Sequence, residues 1–424
     1  MKFVILPHQL YSNLTKYKSY DFIIWEHPHY FTDYNYNKKK LCLHRASMKC
    51  YYDLLVKKKY KVHYIEYNEH FNHSDYTLFD PIDRIKLPNK YTLVESPNFI
   101  LTKEIYAKYQ EKTKSFIFNN FYLWSKKLIN LYPALKSLDK YNQSKYTHDI
   151  EDNKLPSNST KYITEAIKYI EKHFPNNCGN TDNFNYPISH KHASKWMKHF
   201  LTKKLKTFGE YQDIVIKDNT YMSHSVLSSS INIGLLNPSD IIIELHKIKS
   251  KIPSNSFEGY LRQLFWREYQ RYCYIYVNFD KKNYFGNNKK LSQKWYTGTL
   301  GIEPIDDMIK DGFDKAYIHH IGRLMFIGNY MNLSGIAPKE GYRWFMEFSI
   351  DSYDWVMKQN VLDMVFFVTG GQTMRRPYMS SSNYILQMSN YKKGEWSEKW
   401  DNLYYDFIKK HKKELYKYRY FYKL

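Results

Sequence analysis

Cysteine is scarce in this chain. Its 424 residues hold four, Cys42, Cys50, Cys178 and Cys273, and no two stand at C-x-x-C spacing. Zinc ribbons and four-thiolate iron–sulfur sites are built from local thiolate pairs, so the spacing argues against both. So few thiols fit a reduced intracellular compartment. Long apolar runs are missing too. None reaches membrane-spanning length, and residues 1–7 are too short for a secretory leader and read as a first strand. A soluble protein without a membrane partner is expected, in cytoplasm or nucleoid/nucleus; nothing separates a cellular from a viral origin. No G-x-G-x-x-G or G-x-x-x-x-G-K occurs, which removes the dinucleotide fingerprint and the P-loop. Acidic residues are in deficit: 42 Asp and Glu against 64 Lys and Arg leave a net charge of +22. Such a chain expects a polyanion, nucleic acid before an anionic membrane surface. An AT-rich coding sequence also yields abundant Lys, Asn, Ile and Tyr, and charge alone does not separate the two. The nine Trp are not explained by that bias, so their positions carry more information than those of the 44 Tyr.

Four short apolar runs, at 3–6, 22–25, 62–65 and 92–95, alternate with helical patterns such as 43–56. This alternation predicts a doubly wound parallel sheet covered by helices, with ligands at the strand ends. Those ends carry Pro7-His8-Gln9-Leu10 and Glu26-His27-Pro28. The expected division is an α/β domain at 1–115, a helical and polar connector at 116–160, and a larger all-α domain at 161–424. Within the last, loops are expected at 176–188, 218–230, 278–300 and 368–382. The tail from 406 interleaves Lys and Arg with Tyr416, Tyr418, Tyr420 and Tyr422. It reads as a solvated amphipathic helix or as a basic-aromatic nucleic-acid contact.

The densest chemistry lies between Tyr317 and Tyr384, opening with Tyr317-Ile318-His319-His320-Ile321-Gly322-Arg323. Histidines, an arginine, an acid and several Trp and Tyr alternate with apolar turns. That mix suits a buried pocket for a large, flat, redox-active cofactor. His319, His320 and Arg323 are predicted on one helix, with the adjacent histidines pointing apart and so poor joint metal ligands; no metal is assigned. His224 to Ser230 offers hydroxyls and N–H groups at a helix start, a form of phosphate cradle. Glu258, Arg262 and Trp266 share one helix face, which reads as an exposed Glu–Arg pair beside a half-buried Trp.

Together these blocks resemble the photolyase–cryptochrome superfamily, most closely the prokaryotic (6-4) photolyases, or iron–sulfur bacterial cryptochromes and photolyases. The resemblance runs from Leu6-Pro7-His8-Gln9-Leu10 through the stretches 40–48, 149–156, 208–213, 223–236 and 258–268 to 317–391. It implies an N-terminal domain that can hold an antenna pigment of the ribityl-lumazine type and a C-terminal helical domain that holds FAD. His224, Ser225, Leu227, Ser228, Arg267, Arg323, Asp351 and Asn360 match the flavin pocket. His320 matches the proton donor to a (6-4) lesion, with His319 second. Tyr378 and Tyr384 match tyrosines of the lesion cavity, and Trp344 matches an electron carrier.

Departures from the family stand beside these matches. The positions of the family's cluster cysteines fall near Pro304 and at Lys392-Lys393-Gly394-Glu395, so no iron–sulfur cluster is expected. Trp295-Tyr296 reverses a family Tyr-Trp pair, and Phe345 follows Trp344 where Tyr is common. His8 replaces an acid usual at the antenna site. The implied function is light-driven, FAD-dependent repair of UV-damaged DNA by a monomer, with (6-4) photoproducts as the lesion. The alternative is a cryptochrome-like photoreceptor without repair.

Overall fold

The computed structural model describes residues 1–150, 154–280 and 282–422. Glu151, Asp152 and Asn153, within the matched stretch 149–156, lie outside the described residues, as do Lys281, Lys423 and Leu424.

Five strands form one parallel sheet: β1 Lys2–Ile5, β2 Asp21–Trp25, β3 Val62–Ile65, β4 Tyr76–Phe79 and β5 Tyr91–Val94. Their order is β3-β2-β1-β4-β5, so the chain builds outward on one side of β1 and then crosses to the other. This is the doubly wound arrangement expected. Phe3 stands opposite Phe22 on β2 and Thr77 on β4. The runs in β1 and β2 are buried almost throughout, as central strands of a parallel sheet covered on both faces require, while the edge strand β5 is largely exposed. β4 corrects the reading: four runs were expected and five strands are present. It has only four residues, closed off by Asp75 and by Asp80-Pro81, and so reads as loop.

The helix Lys38–Lys57 begins at Asn37, whose side-chain oxygen accepts the Lys39 N–H at 2.9 Å. That bond satisfies one of the free donors at a helix start. The helix Lys161–His173 packs on it.

The helical part is organised around Ser254–Tyr276, buried along most of its length. Leu205–Tyr211 crosses it at Gly209, where a Cβ would stand 2.4 Å from the Ser256 nitrogen. Only glycine permits that approach, and the Gly209 N–H donates to the Ser256 hydroxyl at 2.9 Å. The Glu–Arg pair on this helix is not exposed. Glu258 is fully buried and accepts from the Tyr122 hydroxyl at 2.9 Å and the Leu138 N–H at 3.0 Å. Trp266 stacks on Phe118 at 3.9 Å. The helix Phe118–Leu128 covers this face, a partner that the periodicity of one helix cannot reveal.

Further differences concern local geometry. Helical structure after residue 316 begins at His320, not His319, and Gly322–Gly328 is a π-helical turn. It packs on a second one, Lys358–Val365, where a Cβ on Gly328 would lie 2.6 Å from Val365. Short helices, Ser228–Asn232 and Lys294–Thr297, occur where loops were expected. The tail is broken into Glu395–Lys410, Lys412–Leu415, Tyr416–Tyr418 and Arg419–Tyr422 rather than forming one amphipathic helix. Tyr418 and Tyr422 are buried and Tyr416 and Tyr420 exposed. Among the described residues no helix is long and apolar enough to cross a membrane.

Candidate active site in the helical part

Five separate segments converge on one cavity of about 290 Å³. The loop before Ser228–Asn232 brings His224 and Ser225. Ser254–Tyr276 brings Tyr260 and Arg267, and the start of the next segment brings His319, His320 and Arg323. Asp351 follows the helix Pro338–Phe348, and Asn360 comes from the turn Lys358–Val365.

Arg323 and Asp351 form an ion pair at 2.9 Å. The Asp351 carboxylate also accepts from the Ser228 hydroxyl at 2.6 Å and from the Ser349 hydroxyl. Burial alone would raise this carboxyl; Arg323 and the two hydroxyls outweigh it and hold it below the usual range. The Asp351 backbone carbonyl accepts from Asn232 at 3.1 Å, and the Asn232 side-chain oxygen accepts from Arg267 Nε at 3.2 Å. One hydrogen-bonded chain thus links both arginines across the cavity. Arg267 also lies over the Phe99 ring at 4.2 Å. Burial lowers it to about 10, so it stays charged at neutral pH.

His224 and His319 stack with ring centroids 4.4 Å apart and planes 15° from parallel. Burial lowers both, His319 to about 3 and His224 well below its ordinary value, so both are neutral. His224 Nε2 and His319 Nδ1 are buried without a hydrogen-bond partner. His320 is exposed at the cavity edge. Its Nε2 lies 3.3 Å from Asp213 Oδ1, and because a carboxylate only accepts, that nitrogen carries the proton. Burial would raise Asp213; His320 and Asn142 bring it below its usual value.

The three histidines hold ligand atoms within 4.8 Å of one another. Stacked, nearly parallel rings cannot both aim in-plane lone pairs at one ion, so the arrangement does not make a metal site. It does fit a flat cofactor with polar edges and anionic groups: apolar walls, two arginines and unpartnered buried donors and acceptors meet in one space.

Not every expected residue lies on the wall. Leu227 is fully buried behind the loop, whereas Ser228 does line the cavity, with its hydroxyl engaged by Asp351. Tyr378 and Tyr384 are half-buried and are not wall residues; Tyr384 packs beside a small cluster of Tyr211, Ile214, Ile216, Met222 and Met388. Burial and the Asp213 charge raise its phenol. Trp344 is fully buried behind Phe345, which does line the cavity. Asp213, Asn232 and Tyr260 were missed as individual site residues, although each falls inside a matched stretch.

At the positions of the family cluster, Pro304 opens the helix Glu303–Lys315, and Lys392–Glu395 precedes and enters Glu395–Lys410. The neighbouring side chains are Lys217, 2.8 Å from Glu303 and 3.0 Å from Asp307, and Tyr391, 3.3 Å from Asp307. This donor set does not fit a four-thiolate cluster. At the strand ends His8 is buried, with Nε2 bonded to the Pro81 carbonyl at 3.0 Å and its ring against Tyr30 at 4.7 Å. Burial lowers its ring to about 3, so His8 is neutral there.

A doubly wound parallel sheet is joined to a helical body that carries this cavity. The family described as deoxyribodipyrimidine photo-lyase-related protein matches residues 3–85 and 73–186. A (6-4) photolyase of Agrobacterium fabrum is 34% identical over 270 residues, which cover 60% of this chain and 53% of that protein. The chain thus aligns with about half the length of that curated relative. A crystal structure of a bacterial class III photolyase from Agrobacterium tumefaciens superposes with a TM-score of 0.58 at 14% identity, covering 96% of this chain and 86% of that one. A cryptochrome from Synechocystis sp. PCC6803 superposes with a TM-score of 0.65 at 14% identity, covering 98% and 93%. These matches fit the photolyase/cryptochrome superfamily.

Proposed function

We propose that this protein is a DNA photolyase that uses FAD and light to repair UV-damaged DNA, with the (6-4) photoproduct as its lesion. The observation that carries this reading is the convergence of the neutral His224–His319 stack, the Arg323–Asp351 pair and Arg267 on one cavity, with His320 at its open edge. His224, Ser225, Arg267, Arg323, Asp351 and Asn360 hold the cofactor directly. Ser228 acts by fixing Asp351, and Leu227 by packing the loop. The flavin, when bound and excited, supplies the electron for repair. Arg323 places positive charge where a reduced, anionic ring is favoured, and Asp351 keeps the guanidinium in position. His320, oriented by Asp213, delivers its proton to the lesion. His319 keeps a neutral wall beside it, and Tyr378 and Tyr384 form the outer rim.

The net charge of +22 supports a DNA partner held by its phosphates. The lesion must be flipped out, since its bonds are unreachable while the bases stay stacked. No iron–sulfur cluster and no strand-end antenna are assigned. Domain limits of 1–115, 116–160 and 161–424 go with this reading, although the helices Lys103–Thr113 and Phe118–Leu128 contact Ser254–Tyr276 across them. A cryptochrome-like receptor is the second reading, favoured by Phe345 standing between the cavity and Trp344. Repair of a defined (6-4)-containing duplex is expected in blue light and not in the dark. Bound flavin without repair in light would transfer the reading to the receptor.

A further inference from the structure

Trp344 lies one ring behind the cavity wall, edge-on to Phe345 at 5.2 Å. Two paths lead on from its indole. The Nε1–H donates to the Trp295 carbonyl at 2.7 Å, and that carbonyl belongs to the peptide bond that begins Tyr296. Phe313 stands edge-on to Trp344 at 5.5 Å and meets the Tyr296 ring at 5.7 Å. Both paths end on Tyr296. Its phenol donates to Glu347 Oε2 at 2.7 Å. Glu347 sits one turn beyond Trp344 on the helix Pro338–Phe348 and lines an open groove of about 710 Å³.

We propose that Tyr296 and Glu347 form the outer end of the electron path that serves the cavity, with Tyr296 giving the electron and Glu347 taking the proton. This rests on the flavin reading above. Once Trp344 has lost one electron to a photo-excited oxidised flavin, Tyr296 returns one electron to the indole. As it does so the Tyr296 O–H bond breaks and the proton passes to Glu347 Oε2. The products are neutral Trp344, a neutral Tyr296 phenoxyl radical and a Glu347 carboxylic acid, which releases its proton to water in the groove.

The setting suits each part. Burial raises the Glu347 carboxyl against the pull of Tyr296 and Arg343, which makes it a better base than an exposed carboxylate. Burial and the Glu347 bond raise the Tyr296 phenol, so it keeps its proton until it is oxidised. The reversed order of Trp295-Tyr296 gains a reason: with Tyr second, the carbonyl bonded to Trp344 leads straight into it. A rival branch runs from Trp295 through Tyr330 and Trp400 to Trp396, with ring centroids 6.0, 5.0 and 6.2 Å apart. Its last two indoles donate to the Ser380 and Lys392 carbonyls, which cannot hold a proton.

Two measurements test this. In the flavin-free protein, ultraviolet resonance Raman should show a strongly donating phenol that is lost in both Tyr296→Phe and Glu347→Gln. In the flavin-loaded protein, a blue-light flash followed by transient absorption and electron paramagnetic resonance should give a neutral tyrosyl radical that forms more slowly in D2O. Tyr296→Phe should remove it. Glu347→Gln should slow its formation about a hundredfold, the scale of a lost proton acceptor. Trp400→Phe should leave it intact. A tyrosyl signal that survives Tyr296→Phe, an unchanged rate in Glu347→Gln, or loss of the signal in Trp400→Phe overturns the proposal. A missing Raman signature in the wild type overturns the pairing independently of flavin. Failure to take up flavin, with the Raman signature intact, removes the function reading and the proposal with it.

Discussion

His8, at the end of β1, and His319, on the cavity wall, are both buried and both lowered by burial to about 3, yet their settings are opposite. His8 spends Nε2 on the Pro81 carbonyl and its ring on Tyr30 and Tyr353, 4.7 and 5.6 Å away. Both leave Nδ1 unpartnered, but His319 faces a cavity of about 290 Å³ with the Arg323–Asp351 pair beside it. Burial and a displaced pKa are therefore poor marks of a site on their own. Space shared with convergent charge is the better one. At the strand ends His8 is engaged in packing, whereas the helical cavity brings charged and neutral polar groups to one space.

Four substitutions or conditions sharpen or break that contrast. The largest effect is expected from His320→Ala, which should cut light-driven repair by about 10²–10⁴-fold while flavin stays bound. Repair at the wild-type rate would remove it as proton donor. Arg323→Ala leaves Asp351 buried without its cation, a cost of about 3–5 kcal/mol, and should release flavin. Chemical denaturation and the flavin absorbance per chain check both parts. At the other region, His8→Ala should cost about 2 kcal/mol from lost packing and one lost hydrogen bond, with flavin content unchanged.

Per pH unit and per histidine, the smallest effect is a slope common to both regions. The unfolded chain protonates each histidine near 6.5, whereas the folded chain resists until about 3. Stability is therefore lost as pH falls below that unfolded value, by about 1.4 kcal/mol per pH unit for each histidine. Denaturation midpoints between pH 6.5 and 4 should show it. His319→Gln and His8→Gln should each flatten the slope by one share; an unchanged slope would mean that the rings are not neutral in the fold.

Much of the sheet was legible because four of its strands are plain apolar runs in a chain otherwise rich in charge. β4 was not, since four residues between aspartates carry no periodicity. Glu258 was misread because the helix that buries it, Phe118–Leu128, lies far away in sequence. The residue mix pointed to a pocket, but the pairing of its members was not legible in local spacing. Nothing in local spacing brings His224 onto His319, or Asp351 onto Arg323; each pair joins segments distant in the chain. The adjacent histidines do separate as expected, one buried and one exposed, but His319 precedes the helix that was to hold it.

The most direct test of the account is the FAD retained by purified wild-type, His8→Ala and Arg323→Ala proteins, read from their visible spectra. The account predicts full flavin in the first two and loss in the third. Flavin lost with His8→Ala and kept with Arg323→Ala would contradict it, and would move the cofactor to the strand ends.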